Sequence, residues 1–217
     1  MDGMIEIHKL SDYKSESYVH ENKVMGEDVI RNKMAEIFVI SYYEELKLIS
    51  DNIEKLIKIF RNSFISESFY IAFMDGEVAG FLATSDNKKR AIKISKRVLE
   101  QELGKIKGSI INYFLEKEFG LPIAYSDEIT YIESVATHPE ARGKGVATRL
   151  LDHIILKSGY SEFRLTVKDN NRGAISVYRN IGFREVDRIK ATFFQRKYFR
   201  HKIYMSYKNK DAHYENE

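Results

Sequence analysis

The segment Glu133-Ser134-Val135-Ala136-Thr137-His138-Pro139-Glu140-Ala141-Arg142-Gly143-Lys144-Gly145-Val146-Ala147 holds the residues whose types and spacing most directly suggest chemistry. It sets a basic, glycine-rich turn between a strand-like run and an amphipathic one. The first N–H groups of a helix have no partner inside it, so a helix opening just after such a turn can receive an anionic phosphate. The two glycines remove side chains that would obstruct close approach. The same residues also describe an ordinary strand-to-helix turn with exposed Arg142 and Lys144, and the turn by itself leaves both readings open. A three-glycine dinucleotide fingerprint is missing, as is a Walker-type loop in which Lys precedes Ser or Thr, so Lys144 reads as a peripheral electrostatic contact. His138, beside Pro139, reads as a turn residue before a general base. The six histidines give no HExxH or similar spacing, so no metal is expected. The absence of cysteine excludes disulfides, thiolate ligands and a cysteine nucleophile.

The elements that must position this turn follow from periodicity. Residues 129–137 read as a strand, and 142–156 as a helix with Ala147, Leu150, Leu151, Ile154 and Ile155 inward. Phe163, Leu165 and Val167 alternate as a further strand, followed by a helix over 171–180 that Gly182 stops in a left-handed conformation. Val186 and Ile189, then Phe193 and Phe194, lie in the tail, before a better alternating strand through Ile203, Met205 and Tyr207. Upstream, Phe69, Ile71 and Phe73, then Asp75-Gly76, then Val78, Gly80, Leu82 and Thr84 predict a tight hairpin. One helix or two broken near Ser41 are expected over 27–50, and Asp51 is positioned to cap another through Arg61. Residues 4–10 alternate weakly as a first strand, and the polar run 11–23 carries no predicted element. Residues 87–128 read as a helical insertion between two strands, in which Gly104 and Gly108 weaken a single continuous helix and Gly120-Leu121-Pro122 ends the pattern in a loop. Residues 1–217 thus read as a single domain, a mixed sheet covered by helices.

The spacing of Arg142, Gly145 and Ala147 resembles the phosphate-binding signature of the GCN5-related N-acetyltransferase (GNAT) family: Gln or Arg, two residues, Gly, one residue, then Gly or Ala. Asn171, Ala174, Tyr178, Gly182 and Phe183 resemble the companion signature of that family. Two signatures in the proper order are far more specific than the glycine turn alone. The resemblance runs from about Phe69 to the C-terminus. It implies an α/β fold of three layers, with a central mixed, mainly antiparallel twisted β-sheet flanked by helices. It also implies acetyl-CoA as donor, its pantetheine arm lying where the strand ending near Thr137 splays from the strand 163–167. Val135, Ala136 and Thr137 would line that arm, Val135 and Thr137 through backbone groups. Arg142, Gly143, Lys144, Gly145, Val146, Ala147 and Thr148 would surround the pyrophosphate, and Asn171 would both cap its helix and contact the cofactor.

Acyl transfer from a thioester needs a neutral amine, a route for its proton and stabilisation of the developing oxyanion. By the resemblance, Glu133 takes the amine proton directly or through water, and Tyr178 donates to the departing thiolate. The competing readings are a solvent-facing or structural Glu133 and a Tyr178 packed into the core. The expected reaction is acetyl transfer to a primary amine by direct attack in a ternary complex. A small-molecule amine is the foremost acceptor, with a peptide or protein amine as the other candidate. A CoA-binding regulatory protein without turnover is the alternative. A nucleic-acid module using Lys88–Arg90 and the basic residues 196–202 is a third reading, but 35 basic against 32 acidic side chains leave only +3. No apolar run approaches the roughly 20 residues of a spanning helix, and no secretory pattern opens the chain. The expectation is therefore a cytoplasmic protein without membrane or nucleic-acid partners, monomeric or homodimeric.

Overall fold

The computed structural model describes residues 4–14, 17–20, 23–119, 123–192 and 195–209, with the backbone alone at 118 and 119. Its first strand, β1 (Ile5–Lys9), lies where weak alternation placed it. The polar run that follows contains a short 3-10 turn, Leu10–Lys14, and a small hairpin of β2 (Tyr18–His20) and β3 (Lys23–Met25). Sequence periodicity missed this hairpin because strands of three residues are too short to show any. Helix α1 (Glu27–Ser41) ends at the expected break and is followed by the single turn α2 (Tyr43–Leu46). Helix α3 (Ile53–Arg61) is capped by Asn52, whose side chain accepts from the Lys55 N–H, and not by Asp51 as the sequence suggested. An amide oxygen caps as well as a carboxylate does, and the register of the first turn decides between them.

Strands β4 (Phe69–Met74) and β5 (Glu77–Ser85) form the predicted hairpin. Asp75 and Gly76 both have positive φ, 52° and 72°, as a two-residue turn matched to strand twist requires. The insertion holds α4 (Lys96–Leu103) and α5 (Lys105–Phe119). Gly104 separates them at φ 84°. Gly108, expected to weaken a continuous helix, lies inside α5, where a Cβ would come within 2.6 Å of the backbone of Glu100. Its bare backbone lets the two helices touch. Gly120-Leu121-Pro122 and Phe193-Phe194 lie outside the described residues.

The chemistry-bearing half follows as β6 (Ile129–Thr137), α6 (Val146–Lys157), β7 (Glu162–Lys168), α7 (Arg172–Ile181), β8 (Arg184–Lys190) and β9 (His201–Lys208). Helix α6 begins at Val146 and not at Arg142 as periodicity suggested. A 3-10 turn at Pro139–Ala141 and the left-handed residues Gly143 and Gly145 occupy the interval. Seven strands make one sheet in the order β1-β4-β5-β6-β7-β9-β8, antiparallel except for the central β6–β7 pair. Phe69, Ile71, Phe73 and Phe81 face α1, α3 and α4 in one apolar cluster. Ile132, Phe163, Leu165, Ile203 and Met205 face α6 and α7 in another.

Two irregularities break this regular plan where the site lies. Between β5 and β6, Ala83 opposes Ser134 while Thr84 opposes Ile132, leaving Glu133 as an extra residue. A bulge of this kind bends its strand and reverses the in-and-out alternation beyond it. Ile132 and Val135, three residues apart, accordingly reach the same cluster, and Ala136 reaches the opposite one. The parallel pairing of β6 with β7 also ends there, its last partners being Ile132 and Leu165.

Candidate active site

A cleft of about 820 Å³ opens where β6 and β7 part. Its walls are Glu133 to Thr137 on β6 and Leu165 to Lys168 on β7. Arg142, Gly143, Gly145, Val146, Ala147 and Thr148 close one end, and Asn171 and Tyr178 of α7 close a side. Ser41, Tyr42 and Glu45 reach it from α1 and α2. Every site residue expected from sequence lines this cleft except Lys144, which is exposed and outside the lining.

The glycine turn has the geometry of an anion cradle. Gly143 and Gly145 adopt φ of 77° and 80°, and a Cβ at either would meet no atom within 4 Å. The first α-helical hydrogen bond at this end runs from the Arg149 N–H to the Gly145 carbonyl, 2.9 Å, so the preceding N–H groups have no helical acceptor. Together with the positive end of the helix dipole, they suit a diphosphate. Gly80 lets the layers close behind: a Cβ there would lie 2.6 Å from the Ala136 carbonyl oxygen and 3.0 Å from Val146 Cγ1. Asn171 caps α7, its Oδ1 accepting from the Ala174 N–H at 3.2 Å. His138 serves the turn, its Nδ1 accepting from the Glu140 N–H at 3.4 Å.

Two phenols line the cleft, the buried Tyr178 and the half-buried Tyr42. Burial, then the neighbouring Tyr131, pushes the Tyr178 pKa well above the ordinary tyrosine value. Its hydroxyl has no hydrogen-bond partner among the described residues. Tyr42 donates to the Val135 carbonyl at 3.3 Å, and burial followed by Tyr178 pushes its pKa up as well. Both hydroxyls therefore keep their protons at neutral pH and act as donors.

Glu133 sits on the bulge with its side chain 5% exposed, and its carboxylate is heavily engaged. Oε1 accepts from Arg90 Nη2 at 2.8 Å. Oε2 accepts from Arg90 Nε at 3.2 Å, from the Ala91 N–H at 3.1 Å and from the Ser85 hydroxyl. A carboxylate offers about four lone-pair positions. Three of these four contacts crowd Oε2, so Oε1 is the oxygen with room for another donor.

The model of the acetyltransferase (GNAT) family matches residues 32–183, most of the chain and all of the cleft-lining residues from Ser41 to Tyr178. The chain belongs to the GNAT acetyltransferase family. Thialysine N-epsilon-acetyltransferase of Sus scrofa is 34% identical over 59 residues, 26% of this chain and 35% of the relative. The corresponding protein of Mus musculus is 32% identical over the same shares. The match thus spans about a third of the length of these curated relatives. Among solved structures, an N-acetyltransferase from Staphylococcus aureus Mu50 superposes with a TM-score of 0.53 at 20% identity, covering 83% of this chain and 96% of that one. A GNAT acetyltransferase from Bacillus cereus ATCC 10987 gives 0.52 at 14% identity, covering 95% and 98%. At these identities the likeness is one of fold.

Within this GNAT chain the structure adds residues that sequence reasoning passed over. Tyr42 follows the predicted break near Ser41, a signal for a chain reversal but not for a cleft-facing phenol. Glu45 of α2 pairs with Lys168 of β7 across the cleft. Arg90 comes from the insertion, so this segment contributes directly to the site. The basic cluster considered for nucleic acid is divided between carboxylates, Lys88 with Asp127 at 3.7 Å and Arg90 with Glu133. Among the described residues no helix is long and apolar enough to cross a membrane, and no group of three or more His, Asp or Glu is placed to hold a metal.

Proposed function

We propose that this protein transfers an acetyl group from acetyl-CoA to a primary amine by direct attack within a ternary complex. The observation that carries this reading is one continuous cleft joining the anion cradle before α6 to the two protonated phenols and Glu133. The diphosphate of the donor binds the N–H groups of Gly143 and of residues 145–148, the Lys144 N–H being turned back to the Ala141 carbonyl, which leaves the thioester among Val135, Tyr42 and Tyr178. The thioester supplies an activated acyl carbon with a good leaving group. As the amine attacks, the C–N bond forms and the C–S bond breaks; the amine loses a proton and the thiolate gains one.

Tyr178 is the donor to the thiolate, because its raised pKa keeps the phenol protonated and its hydroxyl is free of protein partners among the described residues. Glu133 receives the amine proton through the open position on Oε1, by way of water or directly. Arg90 fixes that oxygen in place. Tyr42 holds the Val135 segment from the acceptor side. The engagement of Glu133 by four donors favours a second reading, in which the carboxylate is structural and the protein binds acetyl-CoA without turnover.

Steady-state kinetics separate the two. The chain has no cysteine, so thiol reagents report only released CoA. Tyr178→Phe is expected to lower kcat about 10²-fold or more while leaving the KM for acetyl-CoA near that of wild type. Glu133→Gln should lower kcat with a comparable split. Saturable acetyl-CoA binding with no release of thiol in the presence of any amine supports the regulatory reading instead.

A further inference from the structure

The two faces of the sheet beyond β6 are covered unequally. Phe163 and Leu165 of β7 and Ile203 and Met205 of β9 point toward α6 and α7. Side chains alternate along a strand, so Arg164, Thr166, Tyr204 and Ser206 point the other way, to the side of α1. On that side the apolar cluster under α1, α3 and α4 draws its residues of the large sheet from β4, β5 and β6, and none from β7, β8 or β9 among the described residues. The face left open holds a second cavity of about 430 Å³, walled by Tyr125 of the insertion, Arg164, Tyr204 and Val186.

The chemistry of these walls is flat and close to neutral. Arg164 sets its guanidinium 4.6 Å from the centroid of the Tyr125 ring. Its Nε and Nη2 donate to the two oxygens of Glu162 at 2.7 and 3.2 Å, and Glu162 also accepts from the Ser206 hydroxyl at 2.7 Å. The cation is thus fixed in orientation and neutralised by its neighbour, so it offers a planar surface more than a free charge. Asp187 and Lys208 add one charge of each sign to the lining. Planar phenol and guanidinium walls beside Val186, with no net charge, suit an uncharged aromatic ring.

Tyr131 links this cavity to the cleft. It is the register partner of Arg164, and its ring lies 6.5 Å from that of Tyr125. Its hydroxyl hydrogen-bonds with Thr166, a wall of the cleft, and Glu133 and Tyr204 lie near it. Glu133 follows the last β6–β7 pair on β6, and Thr166 follows it on β7, opposite Tyr204 of β9. At nearly 5 Å per strand, Tyr204 stands about 10 Å from Glu133.

We propose that this second cavity is the distal subsite for the acceptor, taking an uncharged aromatic group that a short aliphatic chain joins to the attacking amine. The inference rests on the acetyl-transfer reading above and narrows its acceptor to aryl-substituted alkylamines. The chain of such an amine runs past Tyr131 from the cavity to Glu133, and the ring lies among Tyr125, Arg164 and Tyr204.

Thiol release measured with n-pentylamine and with monodansylcadaverine, the same five-carbon amine ending in a naphthalene sulfonamide, tests this. Wild type should use the aryl amine with a kcat/KM about tenfold or more above that for pentylamine, the gain lying in the KM for the amine. Val186→Glu, at a position 62% exposed, sets a charge against the ring and should cut that preference about tenfold. Tyr204→Ser removes a wall and should act alike. Neither substitution should move the KM for acetyl-CoA, and thermal melts check that both variants fold. Transfer to pentylamine with no preference for the aryl amine, or a preference that survives both substitutions, overturns the subsite and leaves acetyl transfer standing. No thiol release with any amine overturns the transfer and the subsite together.

Discussion

Arg90 and Glu133 form a buried ion pair in which one side chain is 16% and the other 5% exposed. Removing one partner of such a pair strands a charge, at a cost of about 3–5 kcal/mol. Arg90→Gln strands the more deeply buried carboxylate and should therefore lower stability toward that figure in urea unfolding, more than the near-isosteric Glu133→Gln, which strands the less buried Arg90. Gly145→Ala tests the cradle: a left-handed non-glycine residue costs about 1–2 kcal/mol, and the methyl projects into the open cleft. Its expected outcome is a modest loss of stability with a larger rise in the KM for acetyl-CoA. The cradle residues were legible in the sequence because Arg142 to Thr148 are contiguous and their spacing is distinctive. The partners of Glu133 were not, because Ser85 and Arg90 lie 48 and 43 positions away and meet it only through the pairing of β5 with β6. Tyr42 was hidden for the same reason, 93 positions from the carbonyl it binds.

Among the elements, the bulge at Glu133 does two things at once. It aims the carboxylate toward the α1 side and ends the pairing of β6 with β7, which opens the cleft. Gly80 supports this geometry from β5, where a side chain would collide with the backbone of β6. Gly80→Val should therefore destabilise the fold by about 1–3 kcal/mol and reduce acetyl-CoA affinity, both readable in thermal melts with and without the donor. Most strands and helices were visible in the sequence, since Phe69 to Thr84 and Phe163 to Val167 alternate plainly and α6 repeats at helical spacing. The bulge is different: Ile132-Glu133-Ser134-Val135 breaks the alternation with two polar residues in a row, but only the partner strand shows that Glu133 is the extra residue. Gly104 and Gly108 looked equivalent in sequence; one breaks a helix through its positive φ, and the other serves the packing of two helices. Only tertiary contact separates those roles.

At the scale of the whole molecule, two apolar clusters on opposite faces of one sheet enclose several phenols. Burial raises the pKa of Tyr18 to about 12, and those of Tyr42 and Tyr178 are also raised. Above pH about 10 the unfolded chain releases these protons while the folded chain retains them. The native state then binds more protons than the unfolded one, so stability is fully present below pH about 10 and falls as pH rises. Melting temperatures should drop through that alkaline range, with a shallower slope in Tyr42→Phe. The central claim is that the cleft between β6 and β7 binds acetyl-CoA and passes its acetyl group to an amine. Mass spectrometry of the purified protein with acetyl-CoA and a chemically diverse set of amines and peptides tests it most directly, with protein-free and Tyr178→Phe controls. The account predicts a product heavier by one acetyl group that requires the protein and is strongly reduced in the variant. Failure to bind acetyl-CoA, or a product formed equally well by Tyr178→Phe, would contradict it.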